Sequence, residues 1–228
     1  MPVSLYLLPV FVVFMFGDVY GRENNNKHLV SIFQPGTTAV VLMMALMSFL
    51  NPVHQTGYTL HIAFALIISI IADGILVDRN DPHGFVKGMV LFLIAIIAYG
   101  YTWTKYNGFH KEDLVATLIA LVAYAGLMIF FVKKMYKDER GPTKIEFIGI
   151  TIYLLVFCLI ISRAALTFYG DYFSQTQAIL MTTGISLFFM GDCQLGTYHF
   201  IDVNFPMTQA PPFYFIGQLL IGLSCCFA

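Results

Sequence analysis

Three aspartates, Asp18, Asp73 and Asp192, lie inside long apolar stretches of this 228-residue chain. A charged side chain in a membrane-spanning helix costs about 2.5–3.5 kcal/mol on insertion scales, so such a residue is a functional-site hypothesis by default. Two carboxyls, one protonated and one ionised, meet the requirement for general acid–base catalysis. Intramembrane carboxyls also serve as proton relays. The residue types therefore indicate either acid–base catalysis or proton-coupled transport.

The composition indicates what surrounds these carboxyls. Apolar residues make up 58% of the chain and charged residues 11%, against about 25% charged residues in soluble domains. A transmembrane helix needs about 20 apolar residues, so this length holds eight helices joined by short connections. We predict an all-α, polytopic membrane helical bundle of about eight transmembrane helices that forms a single domain over residues 1–228. The predicted helices cover residues 3–19, 35–50, 57–77, 83–105, 111–133, 145–169, 175–199 and 213–227.

The lysines and arginines predict the orientation of the bundle, because cytoplasmic loops carry an excess of both residues. Nine of the 12 fall in or beside the loops that follow predicted helices 1, 3 and 5, whereas Lys105 and Lys111 alone fall on the opposite side. We therefore predict a multi-pass protein with its charged loops in the cytoplasm and both termini on the opposite side.

Depth in the membrane is the strongest signal that the aspartates carry. Each lies 16 or 17 residues after the outer end of its predicted helix, which corresponds to about 24–26 Å of a core that is about 30 Å thick. Asp18, Asp73 and Asp192 are therefore predicted at one level, in the cytoplasmic third of the membrane. Gln218 reaches a similar depth from the other direction, and His199 falls on the Asp192 face of its helix.

A simpler interpretation remains open for each acid, since a carboxyl near a helix end reaches the water of the headgroups. It applies most readily to Asp18, which precedes a polar loop, and less to Asp73 and Asp192, each of which is followed by about one more turn. Gln34 is predicted at the interface, just before the second helix.

Several functional classes are disfavoured by the sequence. It contains no HExxH motif, nucleophile elbow or phosphate-binding loop, and its net charge of −1 gives no indication of nucleic-acid binding. The four cysteines lie in apolar segments, which argues against a disulfide framework or a cysteine metal site. We therefore expect neither a metal nor an organic cofactor.

Three runs of residues carry a family resemblance. They are Ala72-Asp73-Gly74-Ile75-Leu76 with Phe85, Gly88, Phe92 and Tyr99; Gly184-Ile185-Ser186-Leu187-Phe188-Phe189-Met190-Gly191-Asp192; and Tyr214 to Gln218 with Leu219-Leu220-Ile221. In order and spacing they resemble the YhhN-like family, to which the lysoplasmalogenases belong. The chain departs from the family pattern at Ala72, Gly191, Gln34 and Ile96, where Gly, Ser, Lys and His are usual.

The resemblance implies a membrane hydrolase that cleaves the vinyl ether of lysoplasmalogens into a fatty aldehyde and a glycerophospho-alcohol. It implies that Asp73 and Asp192 are the catalytic pair, without assigning acid and base. The expected partners are the lysophospholipid substrate and membrane lipids. A proton-coupled transporter and a non-catalytic lipid-binding protein remain alternatives, and the oligomeric state is not indicated. The residues expected to bind substrate are Gln218, Asp18, His199 and Tyr99, with Arg79 and Lys87 at the interface near the phosphate.

Overall fold

The computed structural model describes residues 2–52, 54–77, 84–135, 142–201 and 208–227. Of the described residues, 86% are helical and none lies in a strand. They form eight α-helices: α1 (Leu8–Glu23), α2 (Lys27–Leu46), α3 (Thr56–Leu76), α4 (Gly84–Asn107), α5 (Asp113–Met135), α6 (Lys144–Leu166), α7 (Gln175–Phe200) and α8 (Ala210–Leu223). Short 3₁₀ segments over Val3–Leu7, Met47–Leu50 and Ser224–Cys226 extend α1, α2 and α8.

Seven of the helical segments in the described residues are long and apolar enough to cross a membrane. The eighth, formed by α8 and its 3₁₀ extension, is a shorter apolar helix. The prediction of a polytopic helical membrane bundle is therefore confirmed, with α8 below the usual spanning length.

Six helices form a closed ring around the interior of the bundle. Going around the ring, α2 packs against α3, α3 against α4, α4 against α6, α6 against α7, α7 against α8, and α8 against α2. Helix α1 packs on the outside against α2 and α8, and α5 packs mainly against α6. The three predicted aspartates lie on α1, α3 and α7, so the ring brings the last two towards a common interior.

Two glycines allow α7 and α8 to approach closely. A Cβ on Gly184 would lie 2.8 Å from the carbonyl oxygen of Gly217, and a Cβ on Gly217 would lie 2.6 Å from the carbonyl oxygen of Gly184. Both obstacles are backbone atoms, which cannot rotate away. Small residues at facing positions are the usual means of close packing between membrane helices. This contact fixes Tyr214 and Gln218 of α8 relative to the interior of the ring.

Helix α2 begins at Lys27, eight residues before its predicted start at residue 35. The Asn26 side chain accepts a hydrogen bond from the Leu29 amide (3.2 Å) and caps the helix. Pro35 therefore lies inside α2, where it lacks the amide hydrogen of one helical bond. Neighbouring helices commonly compensate such a loss in membranes. As a result, Gln34 is a buried helical residue rather than an interfacial one.

Helix α1 ends at Glu23, four residues beyond its predicted end at residue 19. Asp18 and Arg22 lie one turn apart and form an ion pair, with Nε 2.7 Å from Oδ2. Opposite charges four residues apart stabilise a helix, so the pair extends α1 through a stretch that the prediction treated as a loop. When the 3₁₀ segments are counted as parts of the helices that they extend, the other helix ends lie within three residues of their predicted positions.

Candidate active site

Asp73 lies on α3, fully buried, and three side chains from two neighbouring helices donate to it. Oδ2 accepts hydrogen bonds from the hydroxyls of Thr38 (2.5 Å) and Tyr214 (2.9 Å), and Oδ1 accepts one from Nε2 of Gln34 (3.1 Å). A buried carboxylate is tolerated only when its oxygens are satisfied in this way. Both oxygens of Asp73 therefore act as acceptors.

The direction of the Gln34 bond is fixed by an arginine. The Gln34 carbonyl oxygen accepts from Nη2 of Arg22 (2.8 Å), and Arg22 donates through Nε to Asp18. Because a guanidinium can only donate, the Gln34 carbonyl must face Arg22 and its amide must face Asp73. Asp18, Arg22, Gln34 and Asp73 thus form one hydrogen-bonded chain, in which the buried Asp18 balances the Arg22 charge.

A second set of side chains orients Tyr214. The Tyr99 hydroxyl donates to Oε1 of Gln218 (2.7 Å), and Nε2 of Gln218 donates to the hydroxyls of Ser69 (3.2 Å) and Tyr214 (3.5 Å). The Tyr214 oxygen accepts from Gln218, so its own hydrogen points at Asp73. Tyr99 and Gln218 are both fully buried and act on Asp73 through Tyr214.

Asp192 lies on α7, half-buried, and accepts a hydrogen bond from the Tyr153 hydroxyl of α6. Among the described residues, Tyr153 is the hydrogen-bond partner found for this carboxyl. Asp192 therefore has a simpler hydrogen-bonding environment than Asp73, and it faces open space on both sides.

Two cavities share four wall residues, Leu76, Phe92, Asp192 and Leu195. The first, which we call the carboxylate chamber, has a volume of about 400 Å³ and is lined by Arg22, Gln34, Asp73, Leu76, Phe92, Gly191, Asp192, Leu195, Ala210, Pro211, Tyr214 and Phe215. The second, the apolar cleft, has a volume of about 620 Å³ and is lined by Leu76, Phe85, Met89, Phe92, Phe131, Ile150, Tyr153, Leu154, Phe189, Asp192, Cys193, Leu195, Gly196 and Phe200.

The cavities show which predicted residues belong to one site. Asp73 and Asp192 line the same chamber, and Asp18 is joined to it through Arg22. Gln218 and Tyr99 lie behind Tyr214 rather than on the wall, so they can position Tyr214 but are not placed to contact a ligand in either cavity.

Two more of the predicted residues, His199 and Lys87, are not on these walls. His199 is exposed, with its ring 4.4 Å from that of Phe85. Lys87 is exposed on α4 and lines neither cavity. Arg79 lies outside the described residues. Contact of His199 and Lys87 with substrate stays a prediction, and these two cavities do not support it.

Several residues at the site were missed by sequence reasoning. Arg22 was counted only for orientation, although its spacing of four residues from Asp18 was a usable signal. Thr38 and Tyr153 gave no such signal, since their partners lie on other helices. Within the described residues, no group of three or more His, Cys, Asp or Glu side chains is arranged to hold a metal ion.

We expect Tyr153→Phe to lower the activity of the site roughly 10-fold to 100-fold, because a hydrogen bond to a charged group contributes about 1.5–3 kcal/mol. The measurement is the turnover rate of purified protein on a lysoplasmalogen, the substrate that the family resemblance implies. Tyr169→Phe is the matched control, since Tyr169 is 64% exposed. Equal rates for the two variants would show that Tyr153 does not support Asp192.

The geometry describes a helical membrane protein with two carboxyls on the wall of one interior chamber. The YhhN family model matches residues 31–225, which is most of the chain and includes both aspartates. The chain belongs to the YhhN family. No curated protein and no solved structure matches the chain.

Proposed function

We propose that this membrane protein hydrolyses the vinyl ether bond of lysoplasmalogens, releasing a fatty aldehyde and a glycerophospho-alcohol. The observation that supports this most strongly is the position of Asp192. It lies where the chamber that contains Asp73 meets a cleft lined almost entirely by apolar side chains. A lipid with one hydrocarbon chain matches that arrangement if its reactive bond joins the chain to the headgroup. The chain would then lie in the cleft and the reactive bond beside the two carboxyls.

The reaction begins with proton transfer to carbon. Asp192, as general acid, protonates the vinyl carbon farther from the ether oxygen, and the carbon bonded to oxygen becomes part of an oxocarbenium ion. Asp73 is the ionised partner in this scheme, because its fixed donors leave both oxygens as acceptors. Its negative charge stabilises the cation and attracts the water that attacks it.

The second half of the reaction restores both carboxyls. Water adds to the oxocarbenium carbon and gives its proton to Asp73, forming a neutral hemiacetal. The hemiacetal hydroxyl then returns a proton to Asp192, while Asp73 protonates the departing glycerol oxygen. One water is consumed, and one aldehyde and one alcohol are formed. The scheme uses carboxyl groups alone as proton donors and acceptors.

The topology predicted from lysines and arginines adds a location to the proposal. If the loops after α1, α3 and α5 face the cytoplasm, the chamber opens towards the cytoplasmic leaflet. The vinyl ether of a lysolipid lies just below its headgroup, which is the depth predicted for the aspartates. Substrate would then enter from that leaflet with its chain in the apolar cleft.

A bulky residue in the apolar cleft is expected to block long substrates selectively. Gly196 lines the cleft, and a Cβ added there meets no other part of the described chain within 4 Å. We expect Gly196→Leu to lower turnover of an 18-carbon alkenyl substrate roughly tenfold while a short-chain substrate reacts normally, since each buried CH₂ contributes about 0.8 kcal/mol. Gly126→Leu on α5 is the matched control, because its Cβ is equally uncrowded. Equal loss on both chain lengths would contradict this use of the cleft.

The activity itself is tested by comparing two lysolipids that differ only at one bond. Purified protein is incubated with a lysoplasmalogen and with the corresponding ester lysolipid, and aldehyde and fatty acid are both assayed. The proposal expects aldehyde from the first and no fatty acid from the second. Fatty acid from the ester lysolipid would indicate a different hydrolase.

A proton-coupled transporter is the second candidate, supported by the two acidic side chains, Asp73 and Asp192, on the wall of one interior chamber. Intramembrane carboxyls of this kind serve as proton relays in transporters. Flux of a solute driven by a pH gradient across proteoliposomes, together with no aldehyde release, would favour this candidate.

A further inference from the structure

A third cavity adjoins the carboxylate chamber at Arg22. We call it the cationic recess; it has a volume of about 490 Å³ and lies between the α1–α2 connection and the end of α3. Its wall includes Arg22, Asn25, Asn26, Lys27 and Val77. Arg22 is the residue that this recess shares with the carboxylate chamber.

The recess has the charge and the donors that bind an oxyanion. Lys27 and Arg22 place two cationic side chains on its wall; the Arg22 side chain is 9% exposed, and its Nε is paired with Asp18. Lys27 is also the first residue of α2, so the positive end of that helix faces the same space. Asn25 adds a side-chain amide at a turn where its φ is 51°, a conformation that asparagine tolerates.

The three cavities follow one another in the order of a lysolipid's own parts. The apolar cleft joins the chamber at Asp192, and the chamber joins the recess at Arg22. Val77, on the recess wall, lies four residues after Asp73, which is about 6 Å along an α-helix. The glycerol backbone separates the ether oxygen of the substrate from its phosphate by a comparable distance.

We propose that the cationic recess binds the phosphodiester of the substrate headgroup through Lys27 and Arg22. This assignment rests on the proposed function for the identity of the lipid, and it is separate from the sequence-based expectation for Arg79 and Lys87, which stays a prediction. Because Arg22 also donates to Gln34, which donates to Asp73, the residue that meets the headgroup also positions the catalytic carboxylate.

The test uses ligands that the enzyme cannot hydrolyse. We would measure the affinity of the full chain in nanodiscs for two ligands that carry the same saturated alkyl chain. One is a 1-alkyl-glycerophosphocholine, and the other is the 1-alkylglycerol, which lacks the phosphocholine group. We expect Lys27→Gln and Asn25→Asp to weaken binding of the phosphodiester roughly tenfold, the usual effect of losing or opposing one charged hydrogen bond. Binding of the alkylglycerol should not change. Lys87→Gln is the matched control, since Lys87 is exposed and lines none of the three cavities.

Three outcomes would overturn the assignment. The first is wild-type affinity for the phosphodiester in both recess variants. The second is a loss of that affinity in Lys87→Gln instead. The third is full displacement of the lysolipid by inorganic phosphate at the same concentration, which would indicate a site for free anions. Because neither ligand contains a vinyl ether, the affinity difference does not depend on catalysis. If the difference is present but no lysoplasmalogen is cleaved, the proposed function fails and the anion site stands.

Discussion

Asp192→Asn is expected to lower aldehyde release by at least 100-fold, because a general acid contributes about 10²–10⁴-fold to a rate. The asparagine has nearly the same shape as the aspartate but has no acidic proton to give to carbon. The fold should survive, since the new carbonyl oxygen can accept the Tyr153 hydrogen bond. The measurement is turnover of lysoplasmalogen by purified variant, with thermal unfolding measured on the same sample.

Asp171→Asn is the matched control for this change. Asp171 is exposed in the connection between α6 and α7, far along the chain from either cavity wall. Asp171→Asn makes the same change from carboxyl to amide without touching the site, so turnover of this variant should equal that of the wild type. Undiminished turnover in Asp192→Asn would exclude that residue as the acid.

Asp73→Asn is expected to abolish activity to a similar extent and also to destabilise the fold. With its oxygen in the Oδ2 position, the new asparagine keeps the donors Thr38 and Tyr214, but its amide then meets the amide of Gln34. The Gln34 side-chain amide cannot exchange the positions of its oxygen and nitrogen, because its carbonyl oxygen accepts a hydrogen bond from Arg22. Two facing donors in a buried site should cost about 1–3 kcal/mol of unfolding free energy.

A second substitution separates the two effects of Asp73→Asn. Gln34→Glu replaces the opposing amide with a carboxylate oxygen that accepts from the new asparagine and still pairs with Arg22. The double variant Gln34→Glu/Asp73→Asn should therefore recover thermal stability but not activity, since the carboxylate no longer faces the chamber from α3. Recovery of turnover along with stability would mean that the reaction does not require the carboxylate at position 73, because the glutamate at position 34 lines the same chamber.

Counting along the helices predicted Asp73 and Asp192 at one level of the membrane, and the structure places both on the wall of one cavity. The prediction depends on the regular rise of a helix, which converts sequence position into depth. It requires no knowledge of which helices are neighbours, so a single sequence is enough. The same count placed Asp18 and Gln218 at this level, and both are joined to the site by hydrogen bonds.

The partners of these carboxyls were not predictable in the same way. Thr38 and Tyr153 meet Asp73 and Asp192 across helix–helix contacts, and the order of helices around the ring is decided by packing, such as the Gly184–Gly217 approach. Gln34 was misplaced for a local reason. Proline is a frequent first residue of helices, which led to the predicted start at Pro35. The helix instead starts at Lys27, where the Asn26 side chain caps it.

Protonation of a vinyl carbon inside the membrane is the step on which the proposed reaction depends. Hydrolysis in D₂O, with the aldehyde reduced at once to an alcohol, tests that step by mass spectrometry. The proposed reaction predicts one deuterium on the carbon next to the former aldehyde carbon, an unshortened chain, and loss of the product in Asp192→Asn. An alcohol without deuterium at that carbon, or one shortened by a carbon, would contradict it.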